Sequence, residues 1–112
     1  DGFATTVQPA ANAGAIFHTD ATHKLATGRF DASVADMVSL SAHKIYGPKG
    51  IGALYINRQI QKQVAPLIYG GGQQNGLRSG TLPVPLCAGL ACAVGLMIAD
   101  ESAEERKRIQ SL

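Results

Sequence analysis

Short apolar runs separated by turn residues divide this chain into segments of strand and helix length. Residues 15–20, AIFHTD, have the pattern of a short buried strand that ends in an acid, and residues 38–40 alternate like the end of a second strand. Residues 50–57 predict a third strand. Glycine and proline at residues 47–50 make the preceding turn so short that we expect this strand to return antiparallel to the second.

The connection between the first two strands is long enough for a crossover. Asp20 and Lys44 each follow a strand and are separated by 23 residues, and residues 31–36 are the best candidate for a short helix between them. Parallel neighbours joined by a crossover have their carboxyl ends at the same edge of a sheet. The pattern therefore predicts an α/β fold with Asp20 and Lys44 at one edge.

The remaining segments predict loops and helices. Residues 1–15 are small and turn-rich, which predicts a loop with a short strand at residues 5–7, and residues 58–64 predict a short helix or loop. Residues 86–98 mix small and apolar side chains all round, as in a helix packed in a core. Residues 100–112 are charged and predict a solvated helix end, with Glu104 four residues before Arg108 on one face.

Composition narrows the class of protein. The 112 residues, 46% of them hydrophobic, suit about one globular domain. The net charge of +2 and the scattered basic residues argue against a nucleic-acid partner, and the longest apolar run, residues 87–99, is too short to cross a membrane. No secretory signal opens the sequence, so we expect a cytoplasmic protein. Cys87 and Cys92 are expected to pack as small hydrophobic residues, and we predict no metal site.

Lys44 is the strongest candidate for chemistry. It follows a strand, and open α/β sheets bind ligands at the carboxyl ends of their strands. A lysine that is partly desolvated there is more readily neutral, and the neutral amine can attack a carbonyl group. Ser41 and His43 add donors that suit an anionic group. The alternative is that Lys44 is an ordinary solvated surface lysine.

The second dense motif is the glycine-rich segment 66–81. Its three successive glycines, at residues 70–72, permit positive φ angles and a close approach of the backbone to a ligand. It ends with a cation and two hydroxyls that suit a phosphate: Arg78, Ser79 and Thr81. It is not a dinucleotide fingerprint, because Asn75 stands where that pattern needs glycine, and no segment of the chain fits a P-loop.

Three segments resemble one enzyme family. Residues 39–55, SLSAHKIYGPKGIGALY, resemble the cofactor-lysine segment of the cysteine desulfurases, within the class V aminotransferase group of pyridoxal-phosphate enzymes. HTDA at residues 18–21 and the run from GGG at 70–72 to GLRSGT at 76–81 resemble two further family segments, in the family's order. The resemblance extends over about residues 16–97.

This resemblance implies a role for six residues. Lys44 is the catalytic lysine, which bonds the cofactor covalently and, once released, serves as the base for the substrate's α-proton. The residues that bind pyridoxal phosphate are Asp20 at the pyridine nitrogen, His23 at the phenolic oxygen, Ser41 and His43 at the phosphate, and Thr81 at the phosphate of the partner subunit in a homodimer. Considered without Lys44, Asp20 would be interpreted as a helix N-cap or turn residue, and considering both residues together reverses that preference.

The resemblance also implies a fold and a domain. It places residues 1–112 in the large cofactor-binding domain of a fold-type I pyridoxal-phosphate transferase, which has a mainly parallel seven-stranded sheet. The chain would be a fragment of that domain, without the small C-terminal domain. We expect such a fragment to expose strand edges and apolar faces, and therefore to associate unless a partner covers them.

Some positions depart from the family pattern. His23 stands where the family usually has glutamine, and Tyr69 replaces a frequent histidine. The segment between Gln8 and Ile16 lacks roughly a helix's worth of residues. The family's sulfur-attacking cysteine has no counterpart, because Cys87 and Cys92 fall in the predicted helix after the glycine loop.

The implied function is that of a cysteine desulfurase. Such an enzyme converts L-cysteine to L-alanine and passes the sulfur, as an enzyme-bound persulfide, to acceptor or scaffold proteins for iron-sulfur clusters and other products. A selenocysteine lyase, or another class V lyase or aminotransferase, fits the same residues. From another class, the chain would be a non-catalytic oligomerising or partner-binding remnant. Anion binding without catalysis is a third alternative, and it would use Ser41, His43, Arg78 and Thr81.

Overall fold

A three-stranded sheet lies at the centre of the fold. The computed structural model describes residues 2–27, 30–99, 104–105, 107–109 and 111. The strand order is β1 (His18–Asp20), β2 (Met37–Ser41), β3 (Gly52–Ile56). Strand β1 is parallel to β2 and β3 is antiparallel to it, which confirms both predicted pairings. The helices are α1 (Gly2–Asn12), α2 (Lys24–Thr27) and α3 (Val84–Ile98).

Alternation along β2 separates a buried face of the sheet from a polar one. Val38 is fully buried and forms a core cluster with Ala21 and Ala35. Because successive side chains of a strand point to opposite faces, Ser39 and Ser41 lie on the other face. In the parallel register Asp20 lies opposite Ser39, so its side chain is on that same polar face. Polar groups therefore gather where β1 and β2 end.

Most of the short segments follow the predictions. The helical candidate at residues 31–36 is a single 3-10 turn, Ala32–Val34, and the Asp31 side chain caps it by accepting a hydrogen bond from the Ser33 N–H. Residues 58–64 contain the 3-10 turn Gln61–Gln63. In the charged C-terminal segment Arg108 binds Glu105, with Nη2 2.7 Å from Oε1, rather than the predicted Glu104.

The predicted loop over residues 1–15 is wrong, because α1 occupies most of it and includes the residues 5–7 predicted as a strand. Alanine has the highest intrinsic preference for helix, and alanines outweigh Pro9 inside this helix. Gly14 then adopts a left-handed φ of 68°, and the Ala15 N–H donates to the Ala10 carbonyl at 2.9 Å. Glycine in this conformation is a common helix stop.

Helix α3 begins in the predicted place, with proline in its first turn, but it is buried on one side only. Ala93 and Met97 pack in a second core cluster with Ile45, whereas Val84 and Leu96 are exposed. Cys92 is also exposed, which contradicts its prediction as a packed residue; Cys87 is half-buried. The outward side of α3 stays open because the described elements pack only against the side that carries Ala93.

The sheet is smaller than the resemblance implies. Three strands form it in the part of the chain that the structure describes, so the seven-stranded sheet is not seen there. Within the same residues, no helix combines the length and the apolar composition needed to span a membrane. The predicted apolar exposure is confirmed: Leu67 is 95% exposed and Tyr69 78% exposed.

Candidate functional site

Lys44 lies in a 3-10 turn, Ala42–Ile45, that directly follows β2 and is called the lysine turn below. Ala42 and Ile45 are buried, so they hold the turn against the core while His43 and Lys44 between them are exposed. The Gly47 N–H donates to the Ala42 carbonyl at 2.9 Å and closes the turn. The predicted partial desolvation of Lys44 is not met within the described residues, where Lys44 is exposed.

Tyr46 ends the lysine turn in a left-handed conformation. Its φ is 63°, a value that residues with a side chain rarely adopt, and its side chain is exposed. The strained residue reverses the chain, so that Gly47 and Pro48 run back toward α3. Strain of this kind persists only where the surrounding contacts hold it.

Asp20 ends β1 and is oriented by Thr22. One carboxylate oxygen, Oδ1, accepts a hydrogen bond from the Thr22 N–H at 2.9 Å and another from the Thr22 hydroxyl. These bonds lower the pKa of the Asp20 carboxyl, first through the Thr22 hydroxyl and then through the backbone N–H, with smaller help from the charges of His18 and His23. Hydrogen bonds within the described residues leave Oδ2 open. Asp20 is therefore an ionised carboxylate with one oxygen available to a ligand.

A histidine-serine pair links the two parallel strands on the polar face. His18 Nε2 lies 3.1 Å from Ser39 Oγ, and the Ser39 carbonyl accepts a hydrogen bond from the Ala21 N–H at 3.0 Å. His18 stands two residues before Asp20, so the two side chains share one face of β1. The pair fixes the end of β1 against β2 on both sides of Asp20.

Ser41 and His23 also lie near the sheet edge. Ser41 is the last residue of β2 and precedes the lysine turn, and its hydroxyl makes no capping hydrogen bond to that turn. His23 is exposed in the turn between β1 and α2. The hydroxyl of Ser41 is thus left for a ligand.

Hydrogen bonds within the glycine loop hold its conformation, and the Ser79 hydroxyl takes part in one of them. Ser79 is 3% exposed, and its hydroxyl accepts a hydrogen bond from the Gly72 N–H at 3.2 Å. A second bond joins the Gly80 N–H to Gln73 Oε1 at 2.9 Å. Burial and the bond to the Gly72 N–H give the Ser79 hydroxyl a structural role in the loop, while its predicted role as a donor to a phosphate stays a prediction. Arg78 is exposed, but its Nη1 already donates to the Ser79 carbonyl at 3.0 Å.

Thr81 follows the glycine loop in the sequence. It is exposed in the segment between the glycine loop and α3. Across the described ranges no hydrogen bond joins it to Ser41, His43 or Lys44. The parallel register places Asp20 and Ser41 at the same edge of the sheet. His43 and Lys44 follow Ser41 in the lysine turn, and His23 follows Asp20 in the next turn. The six assigned roles stay predictions.

Sequence reasoning missed the residues that orient the site. Thr22 fixes Asp20, Ser39 holds His18, and Gln73 closes the glycine loop. The first had a visible signal, because an aspartate commonly bonds the backbone two residues on in an Asx turn. The other two join residues that are distant in the sequence, and periodicity does not reveal such pairs.

Comparison with known proteins gives consistent matches. The family described as "Aminotransferase class-V" matches residues 3–112. The chain is 48% identical to the mitochondrial cysteine desulfurase of Eremothecium gossypii, covering 82% of this chain and 21% of that protein. It is 43% identical to the cysteine desulfurase IscS of Rickettsia bellii, covering 88% of this chain and 24% of that protein.

Comparison with solved structures also finds a similar chain. The chain superposes on "SspA in complex with cysteine" with a TM-score of 0.77 and 45% identity, covering 83% of this chain and 27% of that chain. The chain thus spans between about a fifth and a quarter of the length of the curated relatives described above.

Proposed function

The chain belongs to the class V aminotransferase family, and from this premise we propose that it is the cofactor-lysine part of a pyridoxal-phosphate-dependent cysteine desulfurase. The parallel register of β1 and β2 carries the proposal, because it brings Asp20 and the strand before Lys44 to the same edge of the sheet. Parallel α/β sheets bind ligands at that edge. The names of the similar proteins support cysteine desulfurase over other chemistries of the family.

The chemistry of the available groups fits pyridoxal phosphate. Asp20 is kept ionised by Thr22 and offers Oδ2, which suits the protonated nitrogen of a pyridine ring. Lys44 offers an exposed primary amine, which suits an aldehyde. The Ser41 hydroxyl and the exposed His43 imidazole suit a phosphate. We assign these four residues, with His23 at the phenolic oxygen, to the cofactor.

Each residue has a defined task in the proposed reaction. Bound pyridoxal phosphate supplies a ring that withdraws electrons from the substrate's α-carbon. Asp20 holds its charge beside the ring nitrogen, and Ser41 and His43 hold the phosphate end. Lys44 Nζ would hold the aldehyde end of the cofactor and would act as the general base that accepts the substrate's α-proton. Because the lysine turn leaves Lys44 exposed, we expect its amine to need desolvation by parts of the protein outside this chain.

The proposal also covers the domain, the oligomer and the partners of the protein. We place the chain in a large domain with a mainly parallel seven-stranded sheet, and in a homodimer in which Thr81 reaches the phosphate of the partner subunit. The exposure of Thr81 supports a contact outside its own subunit. L-cysteine is the proposed substrate, and sulfur-acceptor or scaffold proteins for iron-sulfur clusters are the proposed partners. A cytoplasmic location stays a prediction, since the name of one relative is mitochondrial.

Reductive trapping tests this function. The purified chain is mixed with pyridoxal phosphate, its visible absorption is recorded, and the adduct is fixed with borohydride and mapped by peptide mass. We expect an absorption band and a label on Lys44 that Lys44→Arg abolishes, while Lys62→Arg, an exposed lysine away from the sheet edge, leaves both unchanged. Equal labelling of Lys24, Lys49 and Lys62 would contradict the proposal.

A non-catalytic, partner-binding role is the second candidate. The exposure of Leu67 and Tyr69 favours it, because large apolar side chains this open on a folded surface commonly mark contacts with another protein. Concentration-dependent association in sedimentation, without any selective label on Lys44, would support this role over catalysis.

A further inference from the structure

The loop after the lysine turn touches α3 so closely that one more methyl group would not fit. A Cβ atom on Gly89 would lie 2.9 Å from Cγ and 3.0 Å from Cδ of Pro48. Carbon atoms in favourable contact are about 3.5–4.0 Å apart. The pyrrolidine ring is rigid, so a side chain at residue 89 would move the loop or the helix.

Two further observations place the same loop against α3. A Cβ atom on Gly47 would lie 2.9 Å from the Ala42 carbonyl oxygen and 3.2 Å from Ala93 Cβ. Ile45, the residue directly after Lys44, is 2% exposed and packs with Ala93 and Met97. The chain therefore meets α3 at residues 45, 47 and 48, within one turn of the lysine.

We propose that Gly89 and Ala93 are positioning residues for Lys44, and that α3 fixes the direction in which the lysine turn presents its amine. Lys44 lies between the end of β2 and the buried Ile45, so a displacement of Pro48 is transmitted to it through a short and tightly closed turn. The positioning of Lys44 for catalysis rests on the proposed function, whereas the contact between Pro48 and Gly89 does not.

Another glycine of the same helix provides a matched control. A Cβ atom on Gly95 would have no atom within 4 Å. Glycine-to-alanine changes at residues 89 and 95 raise helix propensity alike. Any difference between the two variants therefore reports the contact with Pro48.

The decisive experiment is a cycle of variants with two measurements. We compare Gly89→Ala, Gly95→Ala, Pro48→Ala and the double variant Gly89→Ala/Pro48→Ala. The first measurement is hydrogen exchange of the Gly47 amide, which closes the lysine turn. The second is the rate of borohydride-trapped labelling of Lys44 by pyridoxal phosphate relative to that of Lys62.

We expect Gly89→Ala to speed Gly47 exchange and to slow Lys44 labelling by about tenfold or more, since small displacements of a reacting group have large effects on rate. Pro48→Ala should also speed exchange, because the loop loses its contact. The double variant should restore both measurements, since Pro48 Cβ, which alanine keeps, is 3.9 Å from the added methyl. Gly95→Ala should change neither measurement.

Equal behaviour of Gly89→Ala and Gly95→Ala would overturn the proposal, as would a double variant no better than Gly89→Ala. If Gly89→Ala does not fold, Pro48→Ala decides alone, and unchanged Gly47 exchange in that variant would overturn it. If no lysine of the unaltered chain is labelled, the proposed function fails, while the exchange data still test the positioning of the turn.

Discussion

Asp20 and Thr22 form a closed pair in which one carboxylate oxygen accepts two hydrogen bonds, from the backbone N–H and from the hydroxyl of Thr22. Asp31 and Ser33 form the same pair at the start of a 3-10 turn, away from the sheet edge. In both pairs the bonds lower the pKa of the aspartate. The chain thus contains the same structural device twice, once at the proposed site and once elsewhere.

Asp20→Asn should remove the negative charge at this position and keep the local structure. The amide oxygen of asparagine still accepts from Thr22, so the turn should persist while the negative charge is lost. Because the variant loses the charge that strengthens a hydrogen bond to the ring nitrogen, we expect pyridoxal phosphate to bind about tenfold or more weakly. Absorption titration measures this affinity. Asp31→Asn is the control, and an equal loss of affinity in that variant would argue against a role for Asp20 at the ring nitrogen.

Thr22→Val should raise the pKa of Asp20 toward its ordinary value, because the larger of the two Thr22 contributions is the hydroxyl bond. Carbon-13 NMR titration of the carboxyl group measures this change, and Asp31 serves as the internal reference. His18→Gln should cause a smaller rise through the loss of a nearby cation. A pKa of Asp20 unchanged in Thr22→Val would contradict the orienting role of Thr22.

The sign of the pH effect follows from the lowered pKa. A carboxyl whose pKa is depressed by folding adds stability above its unfolded value, about 3.9, and this stability is lost as the pH falls through the folded value. The stability difference between the unaltered chain and Thr22→Val should therefore be constant at neutral pH and shrink below about pH 4. Melting curves across that range test the trend, and a difference that grows toward acid would refute it.

Ser79→Ala should loosen the glycine loop. The change removes the partner of the Gly72 N–H in a part-buried hydrogen bond, and a typical bond of this kind contributes about 0.5–1.5 kcal/mol. Denaturant unfolding gives the free energy, and faster exchange of the Gly72 amide locates the effect. Ser33→Ala, at an exposed hydroxyl, should cost much less. Equal costs would mean that the Ser79 hydroxyl does not stabilise the loop.

The strands and the sheet edge were accessible from sequence because their signals are local. Alternation defined β2, the short turn at residues 47–50 required the antiparallel return of β3, and the crossover length predicted the parallel pairing of β1. These features predict Asp20 and Lys44 at one edge of the sheet without any knowledge of distant contacts. Local pattern was therefore sufficient for the part of the fold that carries the proposed chemistry.

The failures involve competing or distant interactions. In α1, turn-forming residues predict a loop while alanines predict a helix. The helix forms, and it ends just before Gly14, which has a left-handed conformation. The role of Ser79 depends on Gly72, seven residues away, and the exposure of Lys44 depends on which elements cover the lysine turn. The sequence does not show whether a hydroxyl or amine group faces a ligand, a backbone amide or water.

The sheet topology has a consequence for the order of folding. Residues 42–51 alone connect β2 to β3, whereas residues 21–36 separate β1 from β2, and shorter loops close at a lower entropic cost. We expect the antiparallel pair to form first, with β1 docking afterwards, and pulse-labelled exchange would show this order as earlier protection of β3 than of β1. The turn that carries Lys44 would then take shape before β1, which carries Asp20, pairs with β2.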